Sequence, residues 1–113
     1  MVFSKSFSPV VDDIVSRLAS GMQVERIYLF GSQTSGLANQ DSDYDLLVVV
    51  PRSRLPRHRR EARSYDLLWG LTTPVDVIVL TRAEFTRSAK VKTSLAATAQ
   101  TKGILLYDQS EAG

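Results

Sequence analysis

The stretch Asp43-Tyr44-Asp45-Leu46-Leu47-Val48-Val49-Val50 begins with carboxylates at alternate positions and ends in five consecutive apolar residues. An apolar run covered on both faces is what a central β-strand requires. Residues two apart in a strand point to one face, so Asp43 and Asp45 project side by side with Cα atoms roughly 6.5 to 7 Å apart. Both can then reach one divalent cation. Upstream, Val24 to Phe30 is rich in β-branched and aromatic residues and ends at Gly31, which predicts a second strand. The polar, glycine-bearing segment 31–42 joins the two. Further upstream, Ser8-Pro9 reads as an N-cap followed by Pro at the first helical position, with Asp12 and Asp13 suited to the positive end of the helix dipole. Val10, Val11, Ile14, Val15 and Leu18 keep helical spacing and Gly21 supplies a stop, so a helix is expected over about 9–20.

Downstream, Pro51 and Pro56 bracket the strand's exit, and Ala62, Tyr65, Leu68 and Trp69 recur at helical spacing opposite a heavily charged face. They predict an amphipathic crossover helix over 57–71, with Tyr65 and Trp69 packed beneath it. Pro74 opens a third apolar strand, Val75-Asp76-Val77-Ile78-Val79-Leu80. Thr81 with Glu84 three residues on forms a capping-box pattern for a short helix. A further helical stretch is expected from about Lys90 to Lys102, ending at Gly103. Ile104 to Tyr107 reads as a last short strand or extended tail, and Gln109 to Gly113 as a frayed end.

The long helical connection between strands 43–50 and 74–80 is what a parallel crossover needs, and it would set Asp76 beside Asp43 and Asp45 at one end of the sheet. An antiparallel pairing of strand 24–30 with strand 43–50 would bring Gly31 and Ser32 to the same end. The apolar neighbours of Asp76 predict a buried carboxylate, which persists in such a place mainly for a partner or a metal. Three converging carboxylates call for a counter-charge. Oxygen ligands without His or Cys specify Mg²⁺, with Mn²⁺ as the alternative, and such an ion commonly shares its shell with substrate phosphates. Two ions could activate an attacking hydroxyl and stabilise a leaving pyrophosphate. Gly31 allows close backbone approach to a phosphate, and Ser32 adds a hydroxyl and N–H donors.

The string Leu29-Phe30-Gly31-Ser32, ten residues, then Asp43-Tyr44-Asp45-Leu46-Leu47-Val48 resembles the Gly-Ser-x10-Asp-x-Asp signature of the minimal nucleotidyltransferases in the DNA polymerase β-like superfamily. On average composition the pattern arises by chance about once in a thousand chains of this length. Pro74-Val75-Asp76-Val77 is similar to the family's third-carboxylate strand, and Lys102-Gly103-Ile104-Leu105-Leu106-Tyr107 to its usual C-terminal ending. The resemblance implies an α/β (α+β) fold with a mixed β-sheet of three to four strands flanked by helices. It implies transfer of a nucleoside monophosphate from an NTP, with ATP as donor, and Asp43, Asp45 and Asp76 as catalytic metal ligands. Asp76 would also activate the acceptor hydroxyl, and Gly31 and Ser32 would hold the nucleotide's phosphates. Many relatives act as antitoxins of a HEPN-domain ribonuclease toxin, some by adenylylating a toxin tyrosine, so a HEPN toxin is the partner the resemblance implies. Gln33, Ser35 and Gln40 stand where relatives often carry Arg, or at position 40 Arg or Pro, which points to weaker neutralisation of a triphosphate.

Composition bounds the alternatives. The 113 residues fit one domain, 1–113. Zero cysteines exclude a disulfide framework and a Cys-ligated zinc or iron–sulfur site. The absence of any long apolar run argues against a membrane span, and the N-terminus lacks the apolar core of a signal peptide, so the expected compartment is the cytoplasm. Net charge is only +2, but six of the 14 basic residues fall in 52–63: Arg52, Arg54, Arg57, Arg59, Arg60 and Arg63. That cluster is read first as a solvated helix face and second as a surface for a partner or RNA. His58 belongs to the same face, and Lys90 and Lys92 are read as helix solvation rather than triphosphate contacts. A homo- or hetero-oligomer is compatible with this reading, and two rival functions remain: a non-catalytic module that masks its partner sterically, and a transferase acting on a small molecule or a tRNA end.

Overall fold

The computed structural model describes residues 8–30 and 44–112. Helix α1 spans Pro9–Gly21, strand β1 Arg26–Phe30, strand β2 Tyr44–Val50, helix α2 Arg57–Leu67 and strand β3 Val75–Thr81. Helices α3 (Arg82–Ala89) and α4 (Leu95–Lys102), strand β4 (Ile104–Asp108) and helix α5 (Gln109–Ala112) follow. The strands form one mixed sheet in the order β3-β2-β1-β4, with β1 antiparallel to β2 and β4, and β2 parallel to β3. The α/β class, the mixed sheet and the parallel crossover are as the sequence predicts. No helix among the described residues is long and apolar enough to cross a membrane.

Strand alternation divides the core into two layers. Leu46, Val48, Val50, Val77 and Val79 pack with Val11, Ile14, Val15 and Leu18 of α1 and with Leu67, Leu68 and Leu71 at the end of α2. Leu47 and Val49 face the other way, onto Tyr28, Phe85 of α3, and Ala96 and Ala99 of α4. The expected capping box holds: the Thr81 hydroxyl accepts from Glu84 N, and Glu84 Oε1 accepts from Thr81 N at 2.8 Å. Ser8 likewise caps α1 by accepting from Val11 N.

Five expectations fail at element level. The second helix buries Arg60, Ser64 and Leu68 rather than the Ala62, Tyr65 and Trp69 stripe; Trp69 is 85% exposed and Tyr65 43%. The cause lies in β3, an edge strand whose outward N–H and C=O groups need partners. Helix α2 supplies them, with Tyr65 Oη accepting from Val77 N at 2.9 Å and Glu61 Oε2 from Val79 N at 3.1 Å. Arg60 Nη1 donates to Val79 O at 2.9 Å. Presenting polar tips to a strand edge rotates the helix away from its apolar pattern. The arginine cluster is accordingly not wholly solvated: Arg60 is 6% exposed and forks onto both oxygens of Glu84 at 2.7 and 3.1 Å, and Arg57 pairs with Glu61. The helix expected over 90–102 begins only at Leu95, because Ser94 takes the N-cap and accepts from Ala97 N. Residues 109–112 form α5 rather than a frayed end. Val10, expected in the apolar stripe of α1, is 37% exposed.

Candidate active site

Two of the residues singled out by the sequence meet at the start of the parallel pair. In the β2–β3 register Asp45 aligns with Asp76, flanked by Tyr44 opposite Val75 and Leu46 opposite Val77. Neighbouring strands lie about 4.8 Å apart, so the two Cα atoms are close lateral neighbours. The pairing extends one step beyond β3, where Tyr44 N donates to Pro74 O at 3.1 Å. Pro74 has no N–H to offer, and the start of an edge strand is where that loss is tolerated. Alternation gives the face: Leu47 and Val49 on β2, and Ile78 and Leu80 on β3, belong to the layer under α3 and α4. Asp45 and Asp76 stand in phase with them and so share that face. Across the antiparallel pair Asp45 aligns with Phe30, the last residue of β1, half-buried and partly packed in the same layer.

Burial differs from expectation. Asp76 is exposed and Asp45 half-buried, whereas everything beyond them along β2 is closed off. The two acids therefore mark the point where the sheet emerges from its helical cover. Asp76 is thus not the buried carboxylate its apolar neighbours predict. Among the described residues no three His, Cys, Asp or Glu side chains gather closely enough to hold a metal ion. Gly31, Ser32 and Asp43 lie outside the described residues, as do Gln33, Ser35 and Gln40.

Lys90 and Lys92 are exposed in the connection between α3 and α4. The residue that sequence reasoning passed over as a neighbour of the acids is Phe30. Its signal was present, since the last residue of a strand antiparallel to β2 must face the start of β2.

The four-stranded mixed sheet with its flanking helices matches the nucleotidyltransferase fold. The profile of the nucleotidyltransferase domain family matches residues 10–103, and the chain belongs to that family. A candidate nucleotidyltransferase from Sulfolobus solfataricus shares the fold with a TM-score of 0.62 at 22% identity, over 96% of this chain and 94% of the other. A toxin–antitoxin crystal structure with AMP-PNP aligns with a TM-score of 0.59 at 24% identity, covering 89% of this chain and 75% of that one. A mutant of the MntA-HpeT toxin–antitoxin aligns over the same shares with a TM-score of 0.59 at 22% identity. No curated protein matches the chain in sequence.

Proposed function

We propose that the chain transfers a nucleoside monophosphate, AMP from ATP, to a hydroxyl of a macromolecular acceptor, and that it serves as the antitoxin of a HEPN-type toxin. The observation that carries the reading is the alignment of Asp45 with Asp76 at the open end of a sheet in a nucleotidyltransferase-family chain. The donor set fits a hard divalent cation: carboxylate oxygens side by side on one face, with the chain's lone histidine, His58, on α2 and no cysteine in the sequence. Asp45 and Asp76, joined by Asp43, would hold Mg²⁺ or Mn²⁺. Such ions would neutralise the nucleotide's phosphates and the charge that develops during transfer.

Each residue has a task in that reading. Asp45 on β2, with Asp43 two residues before it in the chain, would fix the α-phosphate's position through the cation they hold. Gly31 and Ser32 offer backbone and hydroxyl donors to the outer phosphates. The acceptor oxygen attacks the α-phosphorus, the bond to the bridging oxygen breaks, pyrophosphate departs, and the acceptor's proton passes to the Asp76 carboxylate. The exposure of Asp76 suits this role, because a folded acceptor must reach that carboxylate from outside.

Toxin–antitoxin neighbours, one of them holding AMP-PNP, support the antitoxin part of the reading. The test is incubation with its co-expressed toxin, Mg²⁺ and ATP labelled at the α- or the γ-phosphate. Label on the toxin from α-ATP only, lost in Asp45→Asn/Asp76→Asn, is the expected result. Equal labelling by the double variant, or none by the native chain, refutes the proposal.

A further inference from the structure

The other end of the sheet presents a second, chemically different feature. A cleft of about 450 Å³ opens between the C-terminal end of α1, the β2–α2 connection and α2, where Arg52, Arg60 and Arg63 line it together. Its buried walls are Val50, Val79 and Arg60, and the apolar Leu55 at its side is 43% exposed. Val50 stands five positions beyond Asp45 on β2, about 16 Å along the strand, so this cleft is separate from the paired carboxylates.

Charge distinguishes the three guanidiniums. Arg60 is neutralised by Glu84 and its donors are spent on Leu55 O, Val79 O and both Glu84 oxygens. Arg52 and Arg63 are exposed, and neither forms an ion pair with any described residue. Arg54, Arg59 and Arg87 are exposed without an ion pair to any described residue as well, but only Arg52 and Arg63 of these line the cleft. Two uncompensated guanidiniums at an apolar cleft match a dianion with an organic part. A phosphate monoester carries about two charges near neutral pH, against one for a carboxylate, and accepts planar N–H pairs from Arg.

We propose that this cleft binds an organic phosphate, with the phosphate between Arg52 and Arg63 and the organic part against Leu55 and Met22. The same chemistry is offered by a free nucleoside monophosphate and by the 5′ end of a single-stranded RNA. Calorimetry on the full chain in EDTA, which removes the divalent cations that phosphates need at the carboxylate pair, tests it with AMP and with a short 5′-phosphorylated RNA. Binding should weaken about tenfold for each of Arg52→Ser and Arg63→Ser, as expected for a charge-assisted contact, and remain within about twofold in Asp45→Asn/Asp76→Asn. Both arginines are exposed, so unchanged thermal melting will confirm folded variants. Tighter binding of AMP assigns a free nucleotide, and tighter binding of the RNA assigns a nucleic-acid end. Absence of heat with both ligands, indifference to the arginine substitutions, or loss of binding in the aspartate variant overturns the proposal.

Discussion

Individual side chains are held in this molecule by partners that chain spacing does not disclose. Arg60 looks in the sequence like one of six surface arginines, yet it is buried and pinned to Glu84. Its hydrogen bonds, with help from Thr81, hold the Glu84 carboxyl down at about 2. A carboxyl depressed in the folded state contributes stability that is complete above its unfolded value of 4.5 and fades as pH falls through about 2. Urea unfolding should therefore show native stability dropping between about pH 5 and pH 2, with a flatter profile for Glu84→Gln. That variant leaves Arg60 buried without a counter-charge, and near neutral pH it should lose about 2 to 3 kcal/mol, discounted from a fully buried pair because Glu84 is partly exposed. Asp45 and Asp76 show the converse. Both were legible from spacing alone, because a strand's period of two and the parallel-crossover rule suffice to set them side by side. The burial of Asp76 was misjudged because apolar neighbours in sequence say little about where a strand emerges from its cover.

At the scale of elements, strands were read more accurately than helices. The run from Leu46 to Val50 can be satisfied only at the centre of a sheet, and β2 occupies that place. The apolar positions of α2 misled, because that helix answers the needs of a strand edge as well as of the core. Tyr65 and Glu61 cover β3 amides that would otherwise face solvent or a second chain. Tyr65→Phe should cost about 1 kcal/mol, and hydrogen exchange at Val77 should accelerate relative to Leu46 and Val48 in the sheet's interior. The junction of α4 and β4 is equally constrained. A Cβ on Gly103 would lie 2.4 Å from Ala99 O and 3.0 Å from Leu29 O, both backbone atoms that cannot swing aside. Gly103→Ala should lower the melting temperature by several degrees, corresponding to about 1 to 3 kcal/mol of overpacking. At Gly21 the obstacle is the tip of the Leu67 side chain, so Gly21→Ala should be the milder change.

Across the whole molecule, two helical layers close both faces of the sheet and leave the start of its parallel pair open. The order β3-β2-β1-β4 puts that opening next to Phe30 at the end of β1. This layout sets Asp45 beside Asp76, as the strand pattern predicts, even where helix faces were misread. Connection rules fix strand order and direction, whereas helix orientation depends on polar contacts such as those at the β3 edge. In the proposed function Asp45 and Asp76 form the metal-binding head of the site. Titration of the isotope-labelled chain with Mn²⁺, followed by paramagnetic broadening of its amide signals, tests it directly. Broadening centred on Asp45, Asp76 and Phe30, abolished in Asp45→Asn/Asp76→Asn, is the predicted result; broadening centred elsewhere, or unchanged in the double variant, would contradict it.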